Sequence, residues 1–260
     1  DTYRAEDIWQ HTTGEGITVA VIDTGVDPTL PELEGQVLDG TDLTSSPDGA
    51  HTDEDAHGTG MAALIAGTGT EGGIQGLAPG VDILPIRFMP GRYEYEFDFE
   101  MRFAEAIQYA ADAGADIVSI SVSVLYTGYA QEEVSSALEE AARHDMLIFA
   151  SVGNDGETTN EETFPNNQDG VVGVGAVDSS GQLESYSTTG PQVALAGPGE
   201  NAPGYCDWDT QPEPCIIEDG GTSSATALVS ASAALVWAAH PEWTKNQVLN
   251  ALITTADGPG

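Results

Sequence analysis

Basic residues are scarce in this 260-residue chain: 6 lysines and arginines stand against 43 aspartates and glutamates, a formal net charge of −37. Lys245 is the sole lysine. This excludes nucleic acid as a partner, since nothing could neutralise a phosphate backbone. Cysteine is nearly absent as well, with only Cys206 and Cys215, in a loop rich in proline and acid. No histidine or second cysteine pair accompanies them, which argues against a zinc site. A local Cys206–Cys215 disulfide is the better reading and implies an extracellular or cell-surface protein; two free thiols are the alternative. No apolar run reads as long enough to cross a membrane, so membrane contact is not indicated. The first residues lack a signal-peptide pattern.

The acidic excess has its own consequence. Self-repulsion at this charge destabilises a compact state in dilute buffer. Salt shortens the Debye length from about 10 Å at 0.1 M to about 3 Å at 1 M and relieves it. A salt-tolerant, halophilic type of protein is therefore expected, against the plainer reading of an acidic secreted protein kept soluble by its charge.

Buried strands and amphipathic helices alternate along the chain. Apolar runs predict strands at Ile17–Ile22, Val81–Phe88, Ile117–Val122 and Met146–Ala150. Helical spacing of apolar residues predicts helices over Phe99–Ala113 and Gln131–Arg143, with a small-residue apolar helix at Ser223–Ala239. Thr244 reads as the N-cap of a last helix through Ala251. The alternation indicates βαβ units and hence an α/β fold with a largely parallel sheet. The length suits one domain over residues 1–260, with no repeat or linker dividing it. Residues 45–55 and 155–169 read as polar, acidic loops.

Three separated segments each place one reactive side chain where a strand ends or a helix begins. Asp23 closes the run Val19-Ala20-Val21-Ile22 and precedes Thr24-Gly25. His57, alone among five histidines, sits at a glycine-flanked helix start, before Gly58-Thr59-Gly60. Ser223 follows Gly220-Gly221-Thr222 and opens the long apolar helix. Each has a bland reading: a solvated acid, a structural histidine and a serine N-cap. Together, in the order Asp…His…Ser, they form an acid, a base and a nucleophile in one of the known chain orders of a catalytic triad. Asn154, after the strand ending near Ser151, could donate to an oxyanion with the Ser223 backbone N–H, or simply form an Asn-Asp-Gly turn.

These segments resemble the motifs of the subtilisin-like serine proteases, peptidase family S8. The likeness extends through Phe164-Pro165, Val174-Gly175-Ala176-Val177-Asp178, Ala196-Gly197-Pro198-Gly199 and His240-Pro241-Glu242-Trp243-Thr244. The resemblance implies a three-layer αβα fold around a mainly parallel sheet, endopeptidase activity through an acyl-enzyme, and synthesis with a removable prosegment. It implies Ser121-Val122-Ser123 and Ser151-Val152-Gly153 as the two walls of the pocket for the substrate side chain before the cut (P1). Ser123 stands where the family usually has glycine, which points to small or medium apolar side chains. Gly60, Ala227 and Leu228 replace the usual His, Pro and His beside the motifs, a variation that looks like mycosin-type or related actinobacterial secreted members.

No cofactor is required by this chemistry. The loop over residues 68–75 is too short for the family's common calcium-binding insertion; calcium elsewhere is compatible with so acidic a chain, but no metal ligand is assignable. Polypeptide substrates and the protein's own prosegment are the expected partners, and a monomer the expected state. The acids Glu94, Glu96, Asp98 and Glu100 read either as a lining of outer subsites that favours basic residues upstream of the cut or as plain solvated surface. A catalytically silent relative is the main alternative function. A nucleotide-binding reading of Gly67-Thr68-Gly69 and Gly72-Gly73 fails, because these glycines do not join a strand to a helix and no lysine is at hand.

Overall fold

The computed structural model describes residues 4–91, 98–125, 127–208, 210, 212–218 and 220–256. A short helix, α1 (Ala5–Ile8), precedes the first strand, β1 (Thr18–Asp23). Then follow β2 (Thr41–Asp42), α2 (His57–Ala66), β3 (Asp82–Arg87), α3 (Phe99–Asp112), β4 (Ile117–Ile120) and β5 (Val124–Leu125). The chain continues through α4 (Gln131–Arg143), β6 (Leu147–Ser151), β7 (Thr163–Phe164), β8 (Val171–Val177) and β9 (Val193–Pro198). It closes with a hairpin, β10 (Ala202–Cys206) and β11 (Glu213–Ile217), and two helices, α5 (Gly221–Ala239) and α6 (Lys245–Thr255).

Seven strands form one sheet in the order β2-β3-β1-β4-β6-β8-β9, every described pair parallel. A parallel sheet is covered on both faces, so its strands read as continuous apolar runs. Alternation along β1 makes the two faces explicit. Val19 and Val21 join a core with α2 and α5, whereas Ala20 and Ile22 join a second core with α3 and α4. The result is the expected three-layer α/β arrangement.

β8 and β9 were not among the predicted strands; glycines interrupt their apolar runs, as in Val-Val-Gly-Val-Gly-Ala-Val. One sequence reading needs correction. α5 is 19 residues long with a mean hydropathy of 1.3, long and apolar enough to cross a membrane by length and composition. Here it is a core helix, 67% buried over that window, packed on α2 and on strands β4, β6, β8 and β9. α6 starts at a Thr244 capping box in which the Thr244 N–H donates to Gln247 Oε1 at 2.9 Å.

Order matters at β1. The chain runs from β1 outward to β2 and β3, then returns to place β4 on the other side of β1. Strand order thus reverses beside β1, and ligands of open α/β sheets bind outside the carboxyl ends of strands at such a point.

Candidate active site

Asp23 is the last residue of β1 and is buried. Its Oδ1 accepts the Thr24 N–H at 2.8 Å and lies 2.7 Å from His57 Nδ1. The imidazole is brought there because His57 opens α2 and is followed by glycine. A Cβ at Gly58 would lie 2.2 Å from the Gly25 carbonyl oxygen and 3.1 Å from the Asp23 Cβ, so only glycine lets α2 approach the end of β1. With Nδ1 donating to the carboxylate, Nε2 is the nitrogen left for proton exchange. His57 and Ser223 both line one cleft of about 740 Å³.

Ser223 lies in the first turn of α5. Gly221, at φ 72°, sits in the left-handed region that favours glycine. A Cβ there would also fall 2.7 Å from Asn154 Nδ2. Asn154 is fixed from the same turn: its Oδ1 accepts the Thr222 N–H at 3.0 Å and the Thr222 hydroxyl at 2.9 Å. The amide oxygen is therefore tied up and the Nδ2 donor sits beside the helix start. Helix N-terminal N–H groups have no intrahelical acceptor, and Ser223 contributes one of them. The Ser223 hydroxyl donates to the Ser121 carbonyl at 3.1 Å, and the Ser121 hydroxyl donates to the Ser223 carbonyl at 3.2 Å. This reciprocal pair joins the end of β4 to the start of α5.

Of the residues assigned to the P1 pocket, Ser121, Val122, Ser123, Ser151 and Gly153 line the cleft. Val152 does not. Extended backbone alternates its side chains, and Val152 points into the interior, fully buried, within reach of Gly173 on β8. Thr163 on β7 lines the cleft as well, a residue that sequence reasoning missed because it lies in the loop read only as polar and acidic. Its hydroxyl and that of Ser123 both approach Gly153, where an added Cβ would lie 3.6 Å from Ser123 Oγ and 3.8 Å from Thr163 Oγ1.

The hairpin also lines the cleft, through Pro203, Gly204, Tyr205 and Ile217. Cys206 and Cys215 are bonded across it, their Cα atoms 5.9 Å apart. Two side chains dock the hairpin on the body: Tyr205 donates to Glu32 Oε1 at 2.8 Å and Trp208 Nε1 to the Asp53 carbonyl at 2.8 Å. Burial, and then the hydrogen bond to Glu32, push the Tyr205 phenol above its ordinary pKa.

The proposed acidic lining is corrected in part. Glu100 is buried and its carboxylate accepts the backbone N–H groups of Thr127, Gly128 and Ala130 and the Thr127 hydroxyl. Burial pushes its carboxyl up, but these donors outweigh it and hold it below the usual value. Asp98 pairs with Arg102 at 2.8 Å. Neither carboxylate faces the cleft, and Glu94 and Glu96 lie outside the described residues. Among the described cleft residues Asp155 is the only carboxylate. At the positions that depart from the family pattern, Gly60 has room for a side chain, since a Cβ would meet nothing within 4 Å, while Ala227 is fully buried in the core. Among the described residues no group of three or more His, Cys, Asp or Glu could hold a metal ion.

A parallel α/β sheet whose switch point presents a carboxylate–imidazole couple and a helix-start serine in one cleft has the architecture of a serine hydrolase. The family model for the subtilase family, Peptidase S8, matches residues 14–260. The chain is 30% identical over 241 residues to an intracellular serine protease of Paenibacillus polymyxa, covering 90% of this chain and 70% of that relative. Among solved structures, it is similar to the MycP3 protease from the type VII (ESX-3) secretion system. The two share 34% identity at a TM-score of 0.80, over 99% of this chain and 81% of the other. It is also similar to a chain of an intact ESX-5 inner membrane complex, with 29% identity and a TM-score of 0.84, over 98% of this chain and 72% of that one. The chain belongs to the subtilase family, the subtilisin-like serine proteases, with MycP proteases among its structural neighbours.

Proposed function

We propose that the chain is a single-domain endopeptidase in which Asp23, His57 and Ser223 act as the triad. The observation that carries this reading is the 2.7 Å contact of His57 Nδ1 with the buried Asp23 carboxylate, opening on the cleft that also holds Ser223 and Asn154. The Ser223 hydroxyl turns from the Ser121 carbonyl to His57 Nε2, gives up its proton there, and its oxygen attacks the peptide carbonyl. Asp23 holds the tautomer and stabilises the imidazolium. Asn154 Nδ2 and the Ser223 N–H receive the oxyanion. His57 returns the proton to the leaving amine; water, deprotonated by His57, then attacks the acyl carbonyl, and His57 passes that proton to the departing Ser223 oxygen as the acid is released. These steps use only side chains, backbone and water.

An extended polypeptide is the substrate, added as a strand along the cleft. Ser123 and Thr163 narrow the P1 pocket beside Gly153, which favours small side chains. The prosegment is the second partner, and the working state is a monomer. The disulfide and the secretion-system neighbours support a site of action outside the cytosol, although the Paenibacillus polymyxa relative is named as intracellular. The net charge of −37 supports salt tolerance: the melting temperature should rise between 0.1 and 1 M NaCl, and an unchanged value would remove that part of the reading.

Labelling with a fluorophosphonate tests the chemistry. The native chain should label and cleave a peptide library, and Ser223→Ala should do neither. Full peptidase activity in Ser223→Ala would overturn the assignment.

A further inference from the structure

One buried carboxylate next to the proposed triad has no part in the mechanism above. Asp53 lies in the acidic loop before α2, and among the described acidic residues it is one of the few that are buried. Its Oδ1 accepts the Thr24 hydroxyl at 2.9 Å and the N–H groups of Asp55 and Ala56, each at 3.0 Å. Its Oδ2 accepts the Thr59 N–H at 2.9 Å and the Thr59 hydroxyl at 2.6 Å.

The placement of these five donors matters. Ala56 and Thr59 bracket His57, and the N-cap position Ala56 offers no capping side chain and holds a left-handed backbone, φ 69°. A non-glycine residue in that region persists only where its surroundings over-determine it. Asp53 supplies the cap from outside the helix. Thr24 extends the same clamp to β1: its hydroxyl accepts the Gly58 N–H at 2.9 Å while donating to Asp53. Its backbone N–H binds Asp23 Oδ1, the oxygen that faces His57 Nδ1. A helix cap alone would need no link to the strand that carries the acid.

We propose that Asp53 is a positioning residue: with Thr24 it fixes the start of α2, and so the His57 imidazole, against the Asp23 carboxylate at the end of β1. The inference rests on the triad reading above. Displacements of about 1 Å at a reacting group cost about 10²-fold in rate, so a carboxylate that touches no substrate can still control turnover. Asparagine cannot replace it, because its single acceptor oxygen cannot take donors on both sides of the group.

The test pairs Asp53→Asn with Thr24→Val and Thr24→Ser in the full chain. Asp53→Asn and Thr24→Val should lower kcat about 10- to 100-fold with little change in KM, and Thr24→Ser should restore most of what Thr24→Val loses. In a Ser223→Ala background, which prevents self-cleavage, the downfield proton signal of His57 Nδ1 should shift or broaden in Asp53→Asn and Thr24→Val and return in Thr24→Ser. Unchanged kcat and an unchanged signal would overturn the proposal, as would a lowered melting temperature alone. If Asp53→Asn does not fold, the Thr24 pair decides: Thr24→Val equal to the native chain refutes it. If the native chain neither labels nor cleaves, the triad reading fails, and the proton signal still reports whether Asp53 and Thr24 position the ring.

Discussion

Two helices begin at the cleft, and they are held there by opposite means. α2, which starts at His57, is anchored by a carboxylate: Asp53 takes the N–H groups of Ala56 and Thr59, and Thr24 takes that of Gly58. α5, which carries Ser223 in its first turn, is anchored by a neutral amide through the Asn154 Oδ1–Thr222 contacts. Both starts use a left-handed residue, Ala56 in one and Gly221 in the other. The difference is one of charge. On the triad reading proposed above, the imidazole becomes a cation during the reaction, and a second carboxylate beside it is favourable. On the same reading the oxygen at the start of α5 becomes an anion that a carboxylate would repel, so a neutral side chain, itself a lining residue of the cleft, holds the turn.

The largest effect tests the couple itself. His57→Ala should lower kcat by about 10⁵- to 10⁶-fold, measured by peptide cleavage, with fluorophosphonate labelling slowed in parallel. Next, Asn154→Asp keeps an acceptor for Thr222 but puts a negative charge at the start of α5. A loss of at least about 10²- to 10³-fold in kcat is expected, larger than in Asn154→Ala; the reverse order would break the charge argument. Gly221→Ala should destabilise by about 1–3 kcal/mol and lower kcat by displacing Asn154, as read by thermal melts and kinetics.

The smallest effect lies behind the α2 side. Buried Arg87 pairs with Asp42 at 3.0 Å and Glu54 at 3.2 Å and donates from Nε to the Thr24 carbonyl at 3.3 Å. Burial raises the Asp42 carboxyl, but hydrogen bonds from Thr44, Asp48 and Arg87 outweigh it and leave its pKa below the unfolded value of 3.8. A depressed acid stabilises the fold above the unfolded pKa and loses that contribution as pH falls through the folded one. The melting-temperature gap between the native chain and Asp42→Asn should therefore be full at neutral pH and close below pH 3.8. Asp53 runs the other way: burial outweighs its five donors and raises its carboxyl.

Legibility followed the same divide. Asp23, His57, Asn154 and Ser223 could be singled out because each sits at a junction that changes hydrophobic period, from strand to turn or from glycine to helix. Asp53 could not, since in a chain with 43 acids nothing local distinguishes a buried carboxylate from a solvated one. Thr163 reaches the cleft only because β7 pairs with β5, a contact between distant segments. Val152 is buried beside Gly173 while Ser151 and Gly153 line the cleft, because side chains alternate along the extended segment. Glu100 reads in the sequence as a surface or subsite acid, but in the fold it is buried, its carboxylate accepting N–H groups of the loop before α4.

By itself the sequence determined the alternating strands and helices, the parallel sheet, the junctions at which Asp23, His57, Asn154 and Ser223 stand, and the acid excess, because these depend on local periodicity and residue type. The tertiary structure decided which carboxylates are buried, which face of each extended segment meets the cleft, and how the two helix starts are held. Those are properties of distance between parts of the chain far apart in sequence: Thr24 with Asp53, Asn154 with Thr222, and Trp208 with the loop before His57.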